Sequence, residues 1–182
     1  LNPDIVGDLL PQLSPEEGIE FSSHKEEQFR QLATHQLRRM PGFTDFLHGL
    51  QERGHQTALV TNAPRANAEF MLQVLALSDV FEPVIIADDL PKGKPDPLPY
   101  QTALDQLGII AEQALVFEDS PTGVRAATAA GIPTIGITSS HSDATLCQLG
   151  AMFTVADFTD SRILTYLQSQ PTDSEPTACL TS

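Results

Sequence analysis

Tryptophan is absent from this 182-residue chain, and cysteine and basic side chains are scarce. The two cysteines, Cys147 and Cys179, lie far apart and outside any Cys-x-x-Cys spacing. Neither a disulfide framework nor a zinc site can be read from them, and a reducing compartment is expected. Lys and Arg number 10 against 24 Asp and Glu, a formal net charge of −14. Nucleic acids and anionic membrane surfaces reward clustered cations, so the charge argues against both as partners. No apolar run approaches the roughly 18 residues that would span a bilayer, and no signal peptide is visible. A cytoplasmic protein, monomeric by default, is expected. The chain opens on Leu1, already inside an amphipathic pattern (Ile5, Val6, Leu9, Leu10, Leu13). Such an opening is expected of a chain that continues upstream or of an ordinary trimmed terminus.

What is present is enough for a core, with 41% hydrophobic residues. Residues 1–39 read as helical, with Pro11 interrupting the first stretch. Ser14-Pro15-Glu16-Glu17 has an N-cap serine, a proline at the first helical position and acids in the first turn. Beyond it Phe21, Phe29, Leu32 and Leu37 predict a helix with one narrow buried stripe. Pro41-Gly42 marks a junction, followed by a helix that ends near Gly54. Short apolar runs at 57–61, 83–87, 114–117, 133–137 and 152–155 then read as strands. Helical stretches at 65–76, 97–107, 121–130 and 142–149 separate them. This alternation predicts an α/β fold, a Rossmann-like parallel sheet with helices on both faces. In such sheets ligands sit beyond the carboxyl ends of the strands. Residues 169–182 lack periodicity and are expected to form a disordered tail.

Three strand ends carry candidate chemistry. Thr61-Asn62 closes the first strand just ahead of a helix, where a hydroxyl and an amide can donate to a phosphate oxygen or simply cap the helix. Lys92-Gly93-Lys94-Pro95-Asp96-Pro97 follows the second strand. Its prolines stiffen the loop and lower the entropic cost of holding a lysine at a developing negative charge; a solvated turn fits the same string. Glu118-Asp119-Ser120 ends the third strand. Two adjacent carboxylates at the end of an apolar strand repel each other and call for a cation, and oxygen ligands there suit Mg²⁺. Asp119 or Ser120 could equally cap the next helix.

The order of these signals resembles the haloacid dehalogenase-like hydrolase superfamily, specifically its helical-cap branch of sugar-phosphate phosphatases and β-phosphoglucomutases. Thr at a strand end, Lys-Pro-x-Pro, then Glu-Asp-Ser-x-x-Gly and an Ala-rich helix ending in Ala130-Gly131 carry the resemblance over about residues 40–158. The stretch Val60-Thr61-Asn62-Ala63-Pro64-Arg65, with Asn67, is most similar to the sugar-phosphate phosphatases. The resemblance implies that residues 1–39 are part of a helical cap and 40–168 the α/β core. It implies that Thr61 binds the transferring phosphoryl group with help from Asn62, and that Lys94 rather than Lys92 stabilises its charge. Asp119 is implied as the Mg²⁺ ligand, with Glu118 as a second ligand, directly or through a water.

One family feature is missing. The strand ending Asp-x-Asp-Gly-x-Thr, whose first Asp attacks phosphorus and whose second acts as general acid/base, does not occur; Pro3-Asp4-Ile5-Val6-Gly7-Asp8 has the wrong spacing. In the family that strand lies between the strands placed here at 57–61 and 114–117. An open slot and an easily unfolded, inactive chain are therefore expected. The implied activity is Mg²⁺-dependent phosphoryl transfer from a small phosphorylated substrate, as a phosphatase or a mutase. The alternative is a non-catalytic metal- or phosphate-binding fragment. Dehalogenation has no use for the Glu118-Asp119 pair. The five histidines form no metal spacing.

Overall fold

The computed structural model describes residues 10–169 and 178–181. The helical pattern over residues 1–9 and the parts of the expected tail at 170–177 and at 182 lie outside them. Helix α1 (Pro15–Ala33) starts as its cap dictates. The Ser14 Oγ accepts from the Glu17 N–H at 3.3 Å, and the Glu17 carboxylate accepts from the Ser14 N–H at 2.8 Å. This reciprocal box satisfies donors that no helical carbonyl can reach. The expected apolar stripe is not buried: Phe21, Phe29 and Leu32 are exposed, and Ala33 is the buried residue of this helix. Its polar side, through Glu26 and Arg30, meets Asn67 instead.

From Met40 the alternation follows the sequence closely. Helix α2 (Phe43–Glu52) leads to β1 (Gln56–Thr61), α3 (Arg65–Val74), β2 (Val84–Ile86), α4 (Leu98–Leu107) and β3 (Ala114–Glu118). Then come α5 (Pro121–Ala129), β4 (Thr134–Ile137), α6 (Asp143–Gln148) and β5 (Phe153–Val155). At the junction, Gly42 has φ +74° and a Cβ there would lie 2.6 Å from the Phe158 backbone, so only glycine fits. The sequence reading stops at Val155, whereas the chain adds α7 (Ser161–Ser169), whose Ile163 and Leu167 are buried.

The expected disordered tail is corrected at its end. Residues Ala178–Thr181 form β6, and the sheet order is β2-β1-β6-β3-β4-β5, parallel throughout. Thus β6 occupies the middle of the sheet, where an open slot was expected. It pairs with β1 from Gln56↔Ala178 to Leu59↔Thr181 and with β3 from Ala114↔Ala178 to Phe117↔Thr181. The period of two explains why these four residues suit the slot. Ala178 and Leu180 join one core layer with Val60, Tyr100, Val116 and Ala126; Cys179 joins the other with Leu50, Leu115, Phe117 and Phe158. Backbone groups that would stand unpaired on β1 and β3 acquire partners, at about 1–3 kcal/mol for each buried group so rescued.

Candidate functional site

All the candidate residues fall at the carboxyl rim of this sheet. Thr61 is the last residue of β1, Lys94 lies on the loop after β2, and Glu118-Asp119 end β3. The helices α3 and α5 begin at the same rim, so their first-turn N–H groups face it with partial positive charge.

The loop carrying Lys94 is fixed from two directions. The Asn62 side chain clamps the Lys94 backbone: its Oδ1 accepts from the Lys94 N–H at 2.9 Å, and its Nδ2 donates to the Lys94 carbonyl at 2.9 Å. Asn62, expected to reach phosphate, therefore spends most of its amide on positioning the lysine. At the other end of Lys94 the ammonium donates to Glu118 Oε1 at 2.5 Å, with side-chain exposures of 4% and 0%. Tyr100 donates its hydroxyl to the same oxygen at 2.6 Å, and the Lys94 ammonium lies 5.4 Å from its ring centroid. Burial, followed by the charge of Glu118, pushes the Tyr100 phenol well above its ordinary pKa, so it acts here as a donor.

Glu118, expected as a second metal ligand, is committed elsewhere. Its second oxygen, Oε2, accepts from the Ser120 N–H at 3.3 Å and the Ser120 hydroxyl at 3.1 Å. The reason is the strand's alternation. Adjacent residues point to opposite faces, so Glu118 lies under α4 and α5 while Asp119 lines a cavity on the other face. The cation that two neighbouring carboxylates called for is, for Glu118, Lys94. Gly123 makes this packing possible, since a Cβ there would fall 1.9 Å from the Glu118 carboxyl carbon.

Asp119 and Thr61 share a cavity of about 230 Å³ with Phe117, Phe158, Arg39 and Thr181. Lys94 and Asn62 do not line it; they line a separate groove. Asp119 Oδ2 accepts from the Ser139 hydroxyl at 2.8 Å, and its carbonyl lies 3.2 Å from His141 Nδ1. Ser139 and His141, on the loop after β4, were not singled out by the sequence, although the rule that ligands sit at strand ends pointed to that loop as well. Thr61 Oγ1 accepts from the Ala63 N–H at 3.0 Å, which directs the hydroxyl's own proton elsewhere. Lys92 is exposed and paired with Asp96 at 3.0 Å.

No group of three or more His, Cys, Asp or Glu stands close enough to hold a metal ion among the described residues. Mg²⁺ needs less protein than that, taking one or two carboxylates with waters and substrate phosphate. Asp119 has an oxygen, Oδ1, that no described residue hydrogen-bonds, so one carboxylate of that donor set is in place.

These features define a parallel α/β core whose carboxyl rim gathers Thr61, Lys94, Glu118 and Asp119. The chain matches the profile of haloacid dehalogenase-like hydrolases over residues 4–137, and it belongs to that family. It is 38% identical over 121 residues to validoxylamine A 7'-phosphate phosphatase of Streptomyces hygroscopicus subsp. limoneus, covering 66% of this chain and 56% of the relative. It is 39% identical over 118 residues to the phosphoglycolate phosphatase of Rhodospirillum rubrum, covering 65% of this chain and 49% of that protein. The chain thus spans about half the length of these two relatives. A putative β-phosphoglucomutase from Thermotoga maritima superimposes with a TM-score of 0.74 at 29% identity, over 85% of this chain and 71% of the other. No helix among the described residues is long and apolar enough to cross a membrane.

Proposed function

We propose that this chain is the phosphate-handling core of a phosphatase acting on small phosphate esters, sugar phosphates foremost. The observation that carries the reading is the buried Lys94–Glu118 pair, held by Tyr100 and Asn62 on a rim shared with Thr61 and Asp119. An ion pair so enclosed costs desolvation that a surface pair avoids, and a fixed cation at a strand end returns that cost when an anion binds. Thr61 donates its hydroxyl to the phosphoryl oxygens. Lys94 offsets their charge from its fixed position, with Glu118 as its anchor, and Ser139 orients the Asp119 carboxylate. Asp119 is the residue that would hold Mg²⁺, which supplies neutralisation of phosphate charge when bound. Relatives named as phosphatases of phosphorylated carbohydrates, of phosphoglycolate and of validoxylamine A 7'-phosphate support the ester class.

A second reading, a phosphate-binding module without turnover, is favoured by β6. The central position of the sheet is filled by Ala178–Thr181, which brings no carboxylate, and no Asp-x-Asp string occurs in the 182 residues. Assay of phosphate release from a panel of small phosphate esters with Mg²⁺ separates the two. We expect the 182-residue chain to bind phosphate and release none, and a form extended by a strand bearing Asp-x-Asp to turn over. Release by the 182 residues alone would overturn the family mechanism for this chain; no phosphate binding by either form would overturn both readings.

A further inference from the structure

Helix α2 buries Leu47 and Leu50, and beside that buried edge it carries a stripe of another kind. Asp45, Gly49 and Arg53, the last at the C-cap, line a groove of about 340 Å³ between this helix and α7. Their spacing, i, i+4, i+8, puts all three on one face. Phe46 and Leu50 border the groove from α2 itself, and Phe158, Leu164 and Leu167 border it from the chain beyond β5. Leu164 keeps 48% of its surface exposed.

Two features of the stripe have no use within the chain. Gly49 sits in mid-helix, where glycine loses more backbone freedom on folding than any other residue. A Cβ there would meet nothing within 4 Å, so no neighbour among the described residues requires its absence. Asp45 and Arg53 are exposed and make no ion pair among the described residues. The helix dipole accounts for an acid in the first turn and a base at the end, but not for the glycine between them. A bare stretch of backbone flanked at equal distance by one acid and one base is complementary to itself. Each charge lies about 6 Å along the axis from Gly49. An antiparallel copy of the same helix, crossing at Gly49, therefore brings each Asp45 to the other copy's Arg53.

We propose that this face of α2 is a homodimer interface, in which two copies of the chain cross antiparallel at Gly49 and exchange two Asp45–Arg53 ion pairs about a twofold axis. The glycine lets the two backbones approach closely. Contact there covers the exposed Leu164 and the apolar border of the groove, which supplies the hydrophobic part of the association. The paired charges fix the register. Two chains of net charge −14 repel each other as wholes, so a face on which opposite charges meet in both directions is where a second copy gains most. The dimer is independent of the phosphate-ester reading, because Asp45, Gly49, Arg53 and Leu164 do not line the cavity of Thr61 and Asp119.

Sedimentation velocity of the 182-residue chain at concentrations up to about 200 μM, a range that captures weak interfaces, should show a concentration-dependent dimer. Asp45→Arg alone and Arg53→Asp alone should each be monomeric, because every pair across the axis then has like charges. Mixed in equal amounts, the two variants should dimerise again, since the like charges of each chain face their opposites on the other. Gly49→Gln should also be monomeric. Its melting temperature, read where the parent is dissociated, should not fall, because a better helix former enters open space; this separates a blocked contact from a damaged fold. A parent that is monomeric at every concentration would overturn the proposal, whether another protein covers this face or nothing does. So would a dimer that survives either charge reversal or Gly49→Gln, or reversed variants that stay apart when mixed.

Discussion

The rim of the sheet is held by charge and its centre by shape. At the rim, Lys94, Glu118, Tyr100, Asn62 and Ser120 form one connected polar network in which nearly every donor has a designated acceptor. At the centre, β6 contributes Ala178, Cys179 and Leu180, which are buried among apolar neighbours and held by ladder pairing on both sides. The two regions should therefore fail differently. A rim substitution leaves a buried charge without its partner, so its cost depends on chemistry. A substitution in the centre leaves a cavity, so its cost depends on volume.

The largest expected effect comes from Lys94→Ala. Removing one partner of a buried pair strands the other and typically costs about 3–5 kcal/mol, whereas Lys92→Ala, at an exposed pair, should stay within about 0.5 kcal/mol. Chemical denaturation of the two variants, two residues apart on one loop, measures the difference directly. Similar midpoints would mean the Lys94–Glu118 pair is not buried as described. Leu180→Ala should cost about 2–5 kcal/mol by the lost contacts and the cavity. A neutral result would place β6 outside the sheet. Gly123→Ala forces a methyl into the Glu118 carboxylate and should cost about 1–3 kcal/mol, seen as a lowered melting temperature. Tyr100→Phe removes one hydrogen bond to a charged oxygen, about 1.5–3 kcal/mol at most, while leaving the ring beside Lys94 in place.

The smallest perturbation, thiol labelling, sharpens the same comparison. Burial pushes the Cys179 thiol up to about 12, whereas Cys147 is exposed. Below that value Cys179 holds its proton, and the thiolate is the reactive form. At mildly alkaline pH the folded protein should label rapidly at one cysteine and the denatured protein at two. Rapid labelling of both in the folded state would remove β6 from the centre.

The rim and the centre also differ in how far they could be read from sequence. The place of Thr61, Lys94 and Asp119 at the carboxyl rim was legible because each sits in a short local string next to a strand end. The division of labour between Glu118 and Asp119 was equally available from strand alternation, once Glu118 is counted as the last strand residue. The partners of that pair, Tyr100 and Ser139, were hidden because they come from other elements. β6 was illegible for a deeper reason: four residues show the alternation too briefly to stand out in sequence, and their place depends on an opening between two strands distant in sequence. The polar inward face of α1 was misjudged because exposed Phe21, Phe29 and Leu32 carry the same apolar signal a buried stripe would.

The central claim is that Thr61 and its rim neighbours bind a phosphoryl group. Titration of inorganic phosphate, with Mg²⁺ present, into the parent and into Thr61→Val tests it most directly, since valine keeps the shape of threonine and removes the hydroxyl. The account predicts binding by the parent and a loss of about tenfold in the variant, the worth of a hydrogen bond to a charged oxygen, with the melting temperature lowered only by the lost Ala63 N–H bond, worth about 1 kcal/mol. Equal affinity in the two proteins would contradict the assignment of this rim as the phosphate site.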